Sequence, residues 1–81
     1  MKNKNANKYK LVKKEHGKFW FEGKKLHRED GPAVILNNGD QYWYKNDKRH
    51  REDGPAIIYK NGKQEWYVNG RKQYQTQSSD N

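Results

Sequence analysis

Apolar and polar positions along this chain come in short bursts that recur at a fixed interval. Ala33-Val34-Ile35-Leu36 is an apolar run of strand length, Asn38-Gly39 follows it, and Gln41-Tyr42-Trp43-Tyr44-Lys45 is an aromatic strand. The succession returns as Ala56 to Tyr59, Asn61-Gly62 and Gln64 to Val68. Asn-Gly between two β-prone runs signals a two-residue hairpin turn, because both residues tolerate positive φ. A second turn is expected at Asn46-Asp47 and at Asn69-Gly70, each followed by a short basic segment. Upstream, Tyr9 to Lys13 and Lys18 to Glu22, joined by a turn near His16-Gly17, make a drifted leading unit. The pattern predicts an all-β fold, an antiparallel meander of stacked β-hairpin repeats with about six main strands. No segment carries helical periodicity.

The interval is 23 residues. His27-Arg28-Glu29-Asp30-Gly31-Pro32-Ala33 reappears unchanged as His50-Arg51-Glu52-Asp53-Gly54-Pro55-Ala56, and residues 27–49 and 50–72 agree at 14 of 23 positions. Trp20, Trp43 and Trp66 keep the same spacing, while Gln73-Tyr74 stand where the earlier units have His-Arg. The chain is therefore an array with atypical ends.

Strand alternation puts Trp20, Trp43 and Trp66 on one face and Phe19, Phe21, Tyr42, Tyr44 and Tyr67 on the other. The larger hydrophobic contribution of tryptophan favours its face, with Ile35 and Ile58, as the core and leaves the tyrosine face half exposed.

Charge divides the chain further. Of a net +8, residues 1–14 hold six lysines and no acid, so they read as a basic Lys/Asn arm, mobile at least through Asn7. Residues 15–74 form the repeat domain and 75–81 a polar, disordered tail. Only 30% of the residues are apolar and there is no cysteine to staple so small a core, which makes a homodimer or higher oligomer an expected remedy. Neither a membrane-spanning stretch nor an apolar segment behind the basic N-terminus is visible, so a cytoplasmic location is expected. The wealth of Lys, Asn, Tyr and Ile fits AT-rich coding, as in many bacteriophages.

The heptapeptide contains residues suited to acid/base or metal chemistry. A catalytic set is normally assembled once, however, from distant residues, whereas a motif repeated in register serves the scaffold. Asp-Gly-Pro suits a tight corner in which Asp caps backbone N–H groups, Gly takes positive φ and Pro fixes the next residue. His16, His27 and His50 match no compact metal-ligand spacing. No catalytic residue, metal site or cofactor is expected, and the reading is non-enzymatic.

The cations are more suggestive. Lys25, Lys48 and Arg71 are in register, as are Arg49 and Lys72, and Arg28 and Arg51. Stacking would line them up as a basic stripe beside tyrosines, matching periodic phosphates and unpaired bases. The expected nucleic-acid-binding set is Lys24, Lys25, Arg28, Lys48, Arg49, Arg51, Arg71 and Lys72 with Tyr42, Tyr44 and Tyr67. The alternative is an ordinary charged sheet edge that guards against aggregation, with Glu29, Asp30, Glu52 and Asp53 neutralising their neighbours.

His-Arg-Glu-Asp-Gly-Pro-Ala, then Asn-Gly, then Trp-Tyr-x-Asn resembles the MORN-type repeats over roughly residues 16–72, in particular the variant of small bacterial and phage proteins that includes YwqK-type antitoxin relatives. The resemblance implies stacked hairpins in an elongated antiparallel sheet without activity of its own. The Gly-Pro-Ala corner departs from the usual glycine pattern of that family, so no membrane role is carried over. With no recognition helix to enter a duplex, single-stranded RNA is the expected partner. The concrete expectation is a phage-type antitoxin that neutralises an RNA-handling protein toxin. The other class kept open is a protein–protein interaction scaffold without nucleic acid.

Overall fold

Ten short antiparallel strands account for the regular structure of residues 9–74, the part of the chain that the computed structural model describes. They are β1 (Lys10–Lys14), β2 (Gly17–Glu22), β3 (Lys25–Leu26), β4 (Val34–Leu36), β5 (Gln41–Tyr42), β6 (Tyr44–Lys45), β7 (Lys48–Arg49), β8 (Ile57–Ile58), β9 (Gln64–Val68) and β10 (Arg71–Gln73). One sheet runs β1-β2-β4-β5-β8-β9-β10 with β3 attached to β2, while β6 and β7 form a separate ribbon. The all-β antiparallel meander is as the hydrophobic pattern predicts. The extra strands are the short basic segments, which fold back as the return arms of hairpins β2/β3, β6/β7 and β9/β10. The expected mobile stretch through Asn7 and the expected tail lie outside the described residues. The last five residues of the lysine-rich segment form the edge strand β1.

Turn chemistry explains the hairpins, with one correction. Asn46 and Asp47 have φ of 52° and 70°, and Asn69 and Gly70 have 50° and 83°. Each pair is bracketed by cross-strand partners, Lys45 with Lys48 and Val68 with Arg71, so these are the two-residue turns with both φ positive. Asn38-Gly39 and Asn61-Gly62 are not two-residue turns. The Leu36 N–H donates to the Asp40 carbonyl at 2.9 Å and Tyr59 to Lys63 at 2.8 Å, which closes three-residue loops with positive φ at Gly39 and Gly62 but not at Asn38 or Asn61. The asparagines act through their side chains instead, Oδ1 accepting the backbone N–H two residues on at 2.9 Å in both copies.

The expected strand Gln41–Lys45 breaks at Trp43. Its N–H donates to the Ala56 carbonyl at 2.7 Å and its carbonyl accepts the His50 N–H at 3.0 Å, so the strand leaves the main sheet for the β6/β7 ribbon at that residue.

Register settles the faces. Lys18, Ile35, Gln41, Ile58 and Gln64 are successive cross-strand partners, and Trp20, Trp43 and Trp66 lie two residues further along the same strands. Phe19, Val34, Tyr42, Ile57 and Glu65 form the opposite row. The expected core on the tryptophan face is corrected here: the three tryptophans, Ile35 and Ile58 are only half-buried, while the apolar residues shut off from solvent are Ala33, Val34, Ala56 and Ile57. Val34 and Ile57 belong to the tyrosine face. Both pair with Tyr42, whose ring meets that of Tyr59 edge-on at 6.3 Å. The buried alanines precede them at β-bulges. Tyr42 pairs with Val34 yet its carbonyl accepts the Ala33 N–H, and Glu65 pairs with Ile57 yet accepts from Ala56, both at 2.8 Å, so two residues oppose one.

Candidate nucleic-acid interface

The repeated heptapeptide folds back over the tryptophan of its own unit. Hairpin β2/β3 returns the chain so that the Arg28 guanidinium lies over the Trp20 ring, Cζ 4.0 Å from the centroid, and Arg51 lies over Trp43 at the same distance. Two hydrogen bonds pin each arginine: Nε donates to Asp30 or Asp53 at 3.1 and 3.2 Å, and Nη1 donates to the Pro32 or Pro55 carbonyl at 3.1 Å. Gly31 and Gly54 close the arrangement, since a Cβ there would stand 3.0 and 2.7 Å from the arginine Cζ. The corner therefore differs from the expected turn. Neither glycine has positive φ, and the aspartates hold the arginine rather than capping the backbone.

The histidines hold successive units together. His27 is buried, its Nδ1 accepts the Asn46 N–H at 3.0 Å, and its Nε2 lies 3.2 Å from Glu29 and 3.4 Å from Glu22. An Nδ1 that accepts leaves the proton on Nε2, facing the carboxylates. His50 repeats this with Asn69 at 2.9 Å and Glu52 at 3.4 Å, but Lys45 stands where the first unit has Glu22.

The expected binding residues separate into three environments. Lys24, Lys25, Lys48, Arg71 and Lys72 are exposed on the hairpin turns and return strands. Lys25, Lys48 and Arg71 keep their register, opposite Glu22, Lys45 and Val68, which puts them on the tryptophan side of their hairpins. Arg28 and Arg51 are committed to Trp20 and Trp43 and retain only about a quarter of their side-chain exposure, 23% and 25%. Arg49 points to the other face, across from Tyr44 and 5.2 Å from the Tyr67 ring. Burial works against its charge, and the neighbouring Tyr44 and Tyr67 more than offset this, raising its pKa. Tyr42, Tyr44 and Tyr67 are half-buried, and burial pushes the Tyr42 phenol up. Lys25, Lys48 and Arg71 thus lie on the face opposite the tyrosines, while Arg49 and Lys72 share the tyrosine face.

Acids and bases are used unequally. Asp30 and Asp53 hold arginines, Glu22, Glu29 and Glu52 face histidines, and Glu65 faces Lys63 and Lys72. Asp40 and Asp47 accept the backbone N–H groups of Lys60 and Leu26, both at 2.7 Å, and so link neighbouring units. Among the described residues, by contrast, the side chains of Lys10, Lys13, Lys18, Lys24, Lys25, Lys45, Lys48, Lys60 and Arg71 are exposed and make no ion pair, hydrogen bond or ring contact. Lys10, Lys13, Lys18, Lys45 and Lys60 stand outside the set expected from the repeat.

Among the described residues no three His, Cys, Asp or Glu side chains are grouped so as to hold a metal ion, and no helix is long and apolar enough to cross a membrane. Comparison with protein-family models, with characterised proteins and with solved structures finds no match to the chain.

Proposed function

We propose that the protein is a non-enzymatic RNA-binding inhibitor or adaptor, in its most concrete form a phage-type antitoxin that neutralises an RNA-handling toxin in the cytoplasm. The observation that carries this reading is the division of labour between charges. Most of the acids hold arginines, histidines and turns in place, while nine exposed cations among the described residues, eight lysines and Arg71, are left to face an external polyanion. Clustered, unneutralised cations are the electrostatic footprint of phosphate binding. Among the described residues nothing supplies a helix for the major groove, and aromatic rings on a sheet suit single strands. Assembly belongs to the same reading. The sheet order leaves β1 and β10 as edges, both are basic, and RNA that neutralises them would let a second copy approach.

Filter binding of single-stranded RNA at several salt concentrations tests this. Wild-type protein should retain RNA with a steep salt dependence. Reversing charge at Lys25, Lys48 and Arg71 should flatten the slope by about 0.7 to 0.9 for each phosphate that is no longer neutralised. Deleting residues 2–8 should weaken binding to all sequences. Absence of salt-sensitive retention in the wild type would leave the protein-scaffold reading in its place.

A further inference from the structure

The array contains its own control for what a tryptophan of this face requires. In the first two units the ring is covered by an arginine from the heptapeptide, and the residue that carries this lid is anchored one unit ahead: Arg28 N–H donates to the Tyr44 carbonyl and Arg51 N–H to Tyr67, both at 3.1 Å. The third unit has the tryptophan without the lid. Trp66 stands in register with Trp20 and Trp43, but the position of Arg28 and Arg51 is taken by Tyr74, which is 77% exposed. No cation lies over the Trp66 ring among the described residues.

One exposed cation shares the face of that ring. Arg71 on β10 pairs with Val68 and so shares the face of Trp66, and Gln73 lies directly across from Trp66. Lys72 stands 5.6 Å from the Tyr74 ring. Trp66 thus offers an uncovered ring beside exposed Arg71, whereas Lys72, across from Tyr67 and 3.9 Å from Glu65, lies with the Tyr74 ring toward the other face. An unpaired nucleotide has a base whose π-face suits the ring and a phosphate for the cation, and together these features make a stacking platform. A duplex could satisfy the cation but keeps its bases stacked internally.

We propose that the C-terminal end of the array is a base-stacking site for single-stranded RNA, in which a nucleobase takes the place over Trp66 that arginine occupies in the preceding units. Arg71, on the same face as Trp66, holds a flanking phosphate. This site rests on the RNA-binding reading above and adds to it a place and a preference for unpaired bases.

The test uses the full chain and two labelled probes, a 12-nucleotide oligouridylate and a 12-base-pair RNA duplex, with binding read by fluorescence anisotropy and the fold checked by circular dichroism. Trp66→Leu should weaken oligouridylate binding about tenfold and leave duplex binding unchanged, the scale of losing one stacked base. Tyr74→Arg is the sharper variant because it adds a positive charge and restores the missing lid. A site of charge alone would bind both probes more tightly, whereas the stacking site should lose affinity for oligouridylate. If both variants match or exceed the wild type on oligouridylate, the site is wrong and the RNA reading stands. If the wild type binds neither probe, the RNA reading fails and this site fails with it.

Discussion

The imidazole of His27 accepts the backbone N–H of Asn46 nineteen residues further on, at 3.0 Å, and so ties the end of one unit to the turn of the next. Asn46 is in the left-handed region, and the bond helps hold that turn where the β6/β7 ribbon needs it. Removing the ring strands a backbone donor. His27→Ala should cost about 1 to 3 kcal/mol. His50→Ala should cost less, since His50 has 11% side-chain exposure against 4% for His27 and one carboxylate neighbour against two. Urea unfolding midpoints measure both, and equal costs would remove the distinction drawn between the two copies.

Arg51 and Trp43 should be energetically coupled. A guanidinium held on a ring by two hydrogen bonds is worth about 0.5 to 2 kcal/mol beyond its charge. A double-mutant cycle of Trp43→Leu with Arg51→Ala should show coupling of that size. Arg51→Lys should lose most of it, because a lysine cannot supply the planar fork. Coupling near zero would return Arg51 to the pool of free cations.

Two glycines make a graded steric test. A Cβ at Gly17 would stand 2.5 Å from the Ile35 carbonyl oxygen and 2.9 Å from the Leu36 Cα, both backbone atoms that cannot yield without separating β2 from β4. At Gly54 it would meet the Arg51 guanidinium, which can swing away at the expense of its stack. Gly17→Ala should therefore cost about 3 kcal/mol or more and Gly54→Ala about 1 kcal/mol. The Gly54 penalty should vanish in an Arg51→Ala background. Thermal denaturation of the four variants decides it.

Burial raises the Tyr42 and Tyr59 phenols above their ordinary value. For Tyr42 the Asp40 carboxylate adds to this, and for Tyr59 the Glu65 carboxylate does so. A folded pKa above the unfolded one means that the stability tied to these protonated phenols is intact below about pH 10 and is lost as pH rises through the folded values. Spectrophotometric titration should show two tyrosines ionising later than the rest, together with alkaline unfolding. Removing one carboxylate by Glu65→Gln should bring the Tyr59 transition earlier.

The repeat unit, its antiparallel hairpins and the separation of tryptophans from tyrosines follow from the order of residues alone. A period of two within strands and of 23 between units leaves no other consistent register for Ile35 with Ile58 or Trp43 with Trp66. The same reading marks Asn46-Asp47 and Asn69-Gly70 as turns, because few residue pairs tolerate left-handed backbone. Periodicity assigns side chains to faces but carries no information about what comes to cover a face. It takes the folded chain to bury Val34 and Ile57, shielded by Tyr42, more deeply than the tryptophans, and to bring Ala33 and Ala56 inside with them through a one-residue bulge. The same holds for the cations. Arg28 and Lys25 are equally charged letters three positions apart, yet the β2/β3 hairpin lays Arg28 on Trp20 within reach of Asp30 and leaves Lys25 in solvent. Which charges remain available to a partner depends on which carboxylates and rings the fold brings close, 3.1 Å for Asp30 and 4.0 Å for Trp20 in the case of Arg28, and that proximity is set by the return of the chain rather than by spacing along it.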